Sequence, residues 1–275
     1  MPAIMLDDRQ GYTRQYDPFR VTVPFEVFAA ERTLRFSISY LPRPVMLSDL
    51  VPMANQLSQA IVDATSRRIE ESDCRISCQK GCDACCSYMI PISPAEAYRI
   101  RNEIYKLPTV EQKTLFRSCQ HTARQLIDHK LPGTVFSPTQ DQEERLELLS
   151  DWYKELKLPC PFLVHHACCI YEFRPLACRE YLVTSHPSKC RSESNERSKR
   201  VPISVQIAEV LAETCHILEG CESSVLLPLL PAFLQNNSQR SWALYPAETI
   251  VSAFLESLAD YTQRNFAMVG GESAQ

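Results

Sequence analysis

The chain has 275 residues with 45% hydrophobic content, which is enough apolar material to bury a core as one large or two small domains. Its formal net charge of -4 gives no basic excess of the kind that nucleic-acid-binding surfaces need. The longest apolar run, residues 225–234, is interrupted by two prolines and is far shorter than the roughly 20 residues of a membrane span. We therefore expect no nucleic-acid or membrane partner, and the sequence identifies no protein partner.

The amino terminus and the cysteine content both bear on the cellular compartment. Asp7 and Asp8 come early, and the charged, apolar and small-residue progression of a secretory signal is missing, so we expect a cytoplasmic protein. Such a protein keeps its thiols reduced, and the chain has 13 cysteines, an odd number. Clustered cysteines here indicate metal binding rather than a disulfide framework.

The front of the chain alternates between apolar and polar residues from 19 to 41, which predicts a β-hairpin. A helix is expected next from about Asp49 to Glu71, with Ser48 as its N-cap. The apolar residues of the two strands are Val21, Val23, Phe25 and Val27, then Leu34, Phe36, Ile38 and Tyr40, and the helix stripe is Leu50, Met53, Leu57 and Ile61.

Further helices follow, each behind its own start signal. Ser93 to Glu96 reads as a capping box with proline at the first helical position, and it opens a helix to about Lys106. Thr109 with Gln112 and Thr139 with Gln142 repeat the cap pattern. These pairs predict helices that end at about Lys130 and Leu156. After them we expect two short extended pieces in residues 160–171 and a turn of helix in residues 174–181. Two closing helices are expected at residues 204–218 and 246–264.

This order of elements predicts a mostly α fold: a helical domain with a small N-terminal β-hairpin and a cysteine-rich metal-binding insert. We divide it into residues 1–72 with the hairpin and lead-in helix, residues 73–200 with the cysteine cluster, and residues 201–275 as a C-terminal helical segment.

The cysteine cluster begins with a C-x3-C-x2-C-C run, with Cys74 four residues upstream. Thiolates are soft ligands, and close spacing lets one short stretch of backbone present several sulfurs to zinc or to an iron-sulfur cluster. Gly81 fits a chain that doubles back with positive φ. The alternative is a helical core stripe, but five cysteines within thirteen residues favour metal. The members of the run are Cys78, Cys82, Cys85 and Cys86.

Two features of the cysteine pattern leave alternatives open. The neighbours Cys85 and Cys86 rarely reach the same ion, so either one ligates and the other packs behind it, or the site holds more than one metal atom. His165 and His166 lie near the second cysteine group and could join the site, although loop histidines more often face solvent. That second group comprises Cys160, Cys168, Cys169, Cys178 and Cys190, whereas Cys119, Cys215 and Cys221 occur singly.

The residues around the second group carry a family resemblance. The stretch from Cys160 reads CPFL, and residues 168–179 read CCIYEFRPLACR. With the GC-x2-CC run, these motifs resemble the YkgJ-type cysteine-cluster proteins, described as zinc- or iron-chelating domains, over about residues 78–190. Flagellin lysine methylases look like relatives with the same cluster. Cys169 falls where the family usually has another residue, so Cys168 or Cys169 could ligate. The resemblance implies as ligands Cys78, Cys82, Cys85, Cys86, Cys160, Cys168, Cys178 and Cys190.

Arg174 and Arg179 bracket Cys178, and with Tyr171 we expect them to surround the ligands. Four thiolates on one zinc ion leave a net charge of about -2, which is costly to bury without nearby donors and positive charge. A guanidinium supplies both, because it is always charged and presents several planar donors.

We therefore expect a metal-binding protein whose cluster is structural or handles metal, with zinc, iron or an iron-sulfur cluster as cofactor. The alternative is an iron-sulfur-dependent enzyme, such as a protein lysine methyltransferase that resembles flagellin N-methylase. Against it, none of the six glycines forms a glycine-rich cofactor turn. The C-x3-C-x2-C spacing matches radical S-adenosylmethionine enzymes, but capped helices follow it without the strands of a β/α barrel.

Overall fold

The computed structural model of the chain describes residues 2–8, 18–129, 142–191, 193–194, 196–220 and 224–271. This described part is mostly helical, which confirms the predicted fold class. None of its helices is both long enough and apolar enough to cross a bilayer.

The N-terminal sheet has three antiparallel strands in the order β1-β3-β2. They are β1 (Ile4–Asp8), β2 (Val21–Ala29) and β3 (Arg32–Tyr40). Val21 lies opposite Tyr40 and Val27 opposite Leu34, so the alternating apolar residues of the hairpin meet across the strands and the hairpin is confirmed. The sequence analysis missed β1, because a five-residue segment ending in two aspartates shows no clear alternation.

The turn of this hairpin has two residues. Only Ala30 and Glu31 lie outside the strands, with φ values of 51° and 61°. Two consecutive residues with positive φ match the right-handed twist of the flanking strands.

Helix α1 (Val51–Glu71) follows a 3-10 turn at Leu47–Asp49. The predicted N-cap at Ser48 is wrong, because Ser48 is buried inside that turn and no side chain caps α1. The Asp49 carboxylate instead accepts a hydrogen bond from the Met46 backbone N–H at 3.0 Å, so the cap serves the 3-10 turn. The predicted stripe is confirmed, since Leu50, Met53, Leu57 and Ile61 are fully buried.

Helix α2 (Pro94–Ile104) begins with the predicted capping box. Ser93 Oγ accepts from the Glu96 N–H at 3.3 Å, and the Glu96 carboxylate accepts from the Ser93 N–H at 2.9 Å. One carboxylate oxygen of Glu96 serves this capping box, and the other accepts a hydrogen bond from the Leu176 N–H.

The next two helices differ from the prediction at their starts. Helix α3 (Thr109–Asp128) begins after Pro108 without a side-chain cap, so Thr109 is its first residue and the predicted cap is wrong. Gln112 turns back instead and donates to the Leu107 carbonyl at 2.8 Å. Helix α4 spans Gln142–Glu155, and its predicted cap, Thr139, lies outside the described residues.

Short elements make up the chain between α4 and the next long helix. They are β6 (Leu163–Val164), β7 (Ala167–Cys168), a 3-10 turn at Tyr171–Phe173, α5 (Leu176–Glu180) and a second 3-10 turn at Pro187–Cys190. The predicted pair of extended pieces and the helical turn are both confirmed.

Three helices close the described chain: α6 (Ile207–Glu219), α7 (Leu230–Asn236) and α8 (Ala247–Gly271). The sequence analysis missed α7, because prolines at 228 and 231 argue against a helix. Pro231 occupies the first turn of α7, where a proline has no hydrogen bond to lose.

Two short antiparallel pairs join distant parts of the chain. Strand β4 (Pro44–Met46) pairs with β9 (Leu244–Pro246), and β5 (Pro91–Ile92) pairs with β8 (Val225–Leu226). One continuous buried apolar cluster includes residues of the sheet and of α1, α2, α6 and α8. These elements form a packed scaffold from which the cysteine segments extend.

Candidate metal centre

The first cysteine segment folds as a series of tight turns. The N–H of Cys82 donates to the Gln79 carbonyl at 3.1 Å, that of Cys86 to Asp83 at 2.9 Å, and that of Tyr88 to Cys85 at 3.1 Å. No helix forms in residues 73–90, so the alternative of a helical core stripe is wrong.

Gly81 lies in the first of these turns with a φ of 92°, as the sequence analysis predicted. Residues other than glycine rarely adopt this backbone conformation. The glycine therefore lets the chain reverse between Cys78 and Cys82.

Backbone hydrogen bonds attach the second cysteine group to these turns. The Cys160 N–H donates to the Cys86 carbonyl at 2.6 Å, and the Ser77 N–H donates to the Val183 carbonyl at 2.8 Å. Segments that are 74 to 106 residues apart in sequence are thus fixed side by side.

Asp83 fastens two further loops to the same turns. Its carboxylate contacts His166 Nδ1 at 2.6 Å and Arg191 Nη2 at 3.1 Å. The hydrogen bond from His166 is the main reason that the pKa of Asp83 lies below its ordinary value. His165 and His166 form the exposed turn between β6 and β7, both with positive φ, so the histidines act here as turn and loop contacts.

One group of thiols lines a small cavity of about 10 Å³. Tyr181 closes one side of it, and its carbonyl lies 3.9 Å from Cys78 Sγ. The cysteines that line this cavity are Cys78, Cys82, Cys85 and Cys190.

A second group of thiols surrounds Cys178 on α5. Burial of its sulfur raises the pKa of Cys178 well above the ordinary value, and neighbouring thiols raise it further. These neighbours are Cys160, Cys85 and Cys168. Cys85 also influences Cys78 and Cys190, so it belongs to both groups.

The structure therefore brings all eight cysteines named by the resemblance into one region. Cys86 joins them through a side-chain hydrogen bond with Cys85, which is the main reason that the pKa of Cys85 is raised. Burial raises the pKa of Cys160 to about 12. With pKa values raised in this way, the thiols of Cys85 and Cys160 stay protonated at neutral pH unless a cation compensates the charge of the thiolates. Whether the cysteines of this region ligate a metal stays a prediction.

The adjacent cysteines 168 and 169 point to different neighbours. Cys168 is close enough to Cys85 and Arg174 for their charges to affect its pKa. Cys169 is exposed, and its thiol donates to the Phe162 carbonyl at 3.0 Å. Cys168 is thus the member of the pair that faces the cluster.

Arg174 lies among the thiols, whereas Arg179 does not bond to them. The Arg174 charge partly offsets the raised pKa of four cysteines, namely Cys78, Cys85, Cys168 and Cys178. Its Nε is buried and has no hydrogen-bond acceptor among the described residues. Arg179 donates to the carbonyls of Glu172 at 2.8 Å and Arg174 at 3.2 Å, so it holds the loop that carries Arg174.

Tyr171 supports that arginine from the side. The Arg174 guanidinium lies 4.3 Å from the centre of the Tyr171 ring, and Lys80 Nζ lies 4.9 Å from it. The ring therefore fixes the direction in which Arg174 points.

Two buried carboxylates hold α5 and hence Cys178. Glu96, the capping residue of α2, also accepts from the Leu176 N–H at 2.8 Å, at the start of α5. Glu180, at the end of α5, accepts from Ser58 Oγ at 2.7 Å and from the Ile207 N–H at 3.0 Å. The sequence analysis missed Glu180, since no local pattern distinguishes it from a surface glutamate.

Two aromatic residues near the thiols were also missed. The rings of Tyr88 and Tyr181 meet edge to face with their centres 5.4 Å apart, and the Tyr181 hydroxyl lies 3.0 Å from Ser198 Oγ. Ser198 in turn forms a hydrogen bond with Cys190. No spacing rule in the sequence links these residues, because their contacts arise only in the folded chain.

The donor set fits a soft cation. Many thiols lie together, and a buried guanidinium N–H without an acceptor could bond to a thiolate sulfur that carries negative charge. In residues 2–8, 18–129, 142–191, 193–194, 196–220 and 224–271, no three cysteine, histidine or acidic side chains are already arranged to hold a metal ion.

Comparison with known proteins identifies one family. A family model with the description "CxxCxxCC: Putative zinc- or iron-chelating domain" matches residues 77–216, just over half of the chain. No curated protein and no solved structure matches the chain. The match spans both cysteine groups and ends within α6.

Proposed function

The chain belongs to the CxxCxxCC family, and from this membership we propose that it is a metal-binding protein that holds zinc or iron with its clustered cysteines. The observation that carries the proposal is the hydrogen bond from the Cys160 N–H to the Cys86 carbonyl, at 2.6 Å, which fixes the first cysteine of the second group beside the last cysteine of the first. Soft thiolates in such density suit zinc or an iron-sulfur cluster.

The proposed ligands are the eight cysteines named by the resemblance. We propose Cys168 and not Cys169 as the ligand, because Cys168 faces the cluster whereas the Cys169 thiol donates to the Phe162 carbonyl. Eight thiolates make two complete four-thiolate sets or serve a polynuclear cluster. Cys85 is near members of both groups, which supports a site with more than one metal atom.

Around these ligands we propose roles for Arg174, Arg179 and Tyr171. Arg174 brings positive charge and an unused N–H to the thiolates, Arg179 holds the Arg174 carbonyl, and the Tyr171 ring supports the guanidinium. Bound metal with four thiolates is negatively charged, so a nearby guanidinium stabilises it.

We favour a structural or metal-handling role for the site. The cavity between Cys78, Cys82, Cys85 and Cys190 is only about 10 Å³, which leaves little room for a substrate beside a metal ion. Sites with four protein ligands are typically structural. No observation in the described part of the chain favours methyl transfer, and we do not propose it.

Metal analysis of protein purified without oxygen tests the proposal. We expect zinc or iron in at least stoichiometric amount. Colourless protein with zinc supports a structural site, whereas a brown protein with iron and acid-labile sulfide supports an iron-sulfur cluster. Folded, metal-free protein in which every thiol reacts with a thiol reagent would contradict the proposal.

A further inference from the structure

A pocket that contains no proposed metal ligand lies beside the end of α2. Its volume is about 370 Å³, within the range of small-molecule sites. Residues of α2, α3, α7 and the turn that follows α7 form its walls, including Arg101, Phe116, Leu234 and Trp242.

Arg101 gives this pocket a buried positive charge. The residue is only 4% exposed, and the other buried charged residues in the described chain are Glu96 and Glu180. Both of those carboxylates are surrounded by N–H and O–H donors. Arg101, in contrast, forms no ion pair with any described residue, and a buried charge without a counter-charge is costly.

The partners of Arg101 are all neutral. Its guanidinium donates to Ser241 Oγ, to the Ser241 carbonyl at 3.4 Å and to the Asn102 side chain at 2.9 and 3.1 Å. Nη1 has two N–H groups and donates, among the described residues, to Ser241 Oγ alone. The second N–H of Nη1 has no acceptor among the described residues, and Arg101 lines the pocket.

Exposed aromatic rings stand next to this cation. The Trp242 ring centre lies 4.2 Å from the Arg101 guanidinium carbon, yet Trp242 is 58% exposed. Tyr105 is 54% exposed and contacts Phe116 edge to face. Large aromatic side chains at a pocket mouth offer apolar contact area that no described residue covers.

The interaction of Arg101 with the C-terminal end of α2 explains part of this arrangement. That end carries a partial negative charge, and the bonds to Ser241 tie α2 to the turn after α7. A purely structural arginine, however, needs neither the open pocket nor the exposed rings beside it.

We propose that this pocket binds a small carboxylate that carries an apolar or aromatic group. The carboxylate supplies the counter-charge that Arg101 lacks, and the apolar group lies against Trp242, Tyr105 and Phe116. Arginine suits this ligand because its planar donors match the geometry of a carboxylate.

The test measures binding of phenylacetate and of its neutral isostere phenylacetamide to the full-length protein by calorimetry. We expect saturable binding of phenylacetate and binding of the amide that is at least about 10-fold weaker, because a charge-assisted hydrogen bond is lost. Arg101→Gln should weaken phenylacetate to the level of the amide. Arg240→Gln removes the same charge from a neighbouring exposed arginine outside the pocket and should change nothing.

Trp242→Ala keeps the proposal testable if Arg101→Gln does not fold, because Trp242 is largely exposed. We expect this variant to bind phenylacetate at least about 10-fold more weakly with an unchanged melting temperature. Equal affinity of the parent for acid and amide, or no saturable binding of phenylacetate at millimolar concentration, would overturn the proposal.

Discussion

In the scaffold of this molecule, helices of 11 to 25 residues bury continuous apolar faces, whereas the cysteine region consists of turns, two-residue strands and one five-residue helix. We define the scaffold as the N-terminal sheet with α1, α2, α6 and α8, and the cysteine region as residues 77–88 and 160–191. The scaffold residues Met53, Ala54, Leu57 and Ile61 are fully buried along a single helix.

The cysteine region has little core of its own. Four of its side chains, Phe162, Ile170, Leu176 and Leu182, join the main apolar core, whereas its separate buried cluster contains only Ala84, Val183 and Cys190, packed against further cysteines and Tyr181. Apolar burial stabilises a fold in proportion to its area, so the scaffold can hold itself together, whereas we expect the cysteine region to need a further source of order besides its few anchors in the core. The two parts of the chain therefore depend on different interactions, and the following experiments test that difference.

The largest effect is expected from removing one proposed ligand from each cysteine group. Cys82→Ser and Cys178→Ser should both lose metal and stability, because structural zinc contributes roughly 10 to 16 kcal/mol of apparent binding energy in small zinc-finger peptides and one lost thiolate forfeits much of it. Metal content and melting temperature of the purified variants measure this.

Cys74→Ser is the matched control, since Cys74 is exposed and lies outside the proposed ligand set. It should keep the metal content of the parent. If Cys178→Ser also kept its metal while Cys82→Ser lost it, the second group would be packing rather than ligand.

A substitution in the core of the scaffold should lower stability without lowering metal content. Leu57→Ala removes a fully buried side chain from α1 and should cost about 2 to 5 kcal/mol of unfolding free energy. The metal bound per folded molecule should not change, because Leu57 belongs to the apolar core and is not one of the proposed ligands. Denaturant unfolding followed by metal analysis of the folded fraction separates the two quantities, and a matching loss of metal would break the distinction between the regions.

Arg174→Leu should affect the site more than the scaffold. Without the guanidinium we expect metal affinity to fall by roughly 10 to 100-fold, as is typical when a group that supports the ligands is removed. Arg179→Leu should weaken affinity less, because Arg179 acts by holding the Arg174 carbonyl, and Arg179→Lys should lie between that variant and the parent. Metal release against a graded chelator ranks the variants by metal affinity. Superimposable release curves would show that neither arginine supports metal binding.

The smallest effect is expected at Gly81. Its φ of 92° is strained for any other residue, while a Cβ there would meet no atom within 4 Å. Gly81→Ala should therefore lower the free energy of unfolding only by the strain of its backbone conformation, about 1 to 2 kcal/mol, and should lower the metal affinity slightly. Chelator competition detects the change, and an affinity equal to that of the parent would mean that this turn need not keep its shape.

Sequence reasoning succeeded where the information is local. The alternation in residues 21–40, the stripe from Leu50 to Ile61 and the capping box at Ser93 each depend on neighbours a few residues apart, and all three were found. The caps at Ser48 and Thr109 failed because the residues that precede these helices are Leu50 and Pro108, whose side chains cannot accept a hydrogen bond from the helix N–H groups.

The contacts that build the candidate site come from tertiary folding. Glu180 forms hydrogen bonds with Ser58 and Ile207, and Asp83 forms them with His166 and Arg191. No periodicity in the sequence predicts these hydrogen bonds. Cysteine density could indicate the site in advance, but it could not indicate which carboxylates and aromatic rings would hold it in place.

Hydrogen exchange of the protein before and after removal of metal by a chelator tests the central claim most directly. We predict that amides of residues 77–88 and 160–191 lose protection when metal is removed, while those of α1 and α8 keep theirs. Unchanged protection in the cysteine region, or equal loss of protection in both regions, would contradict the account.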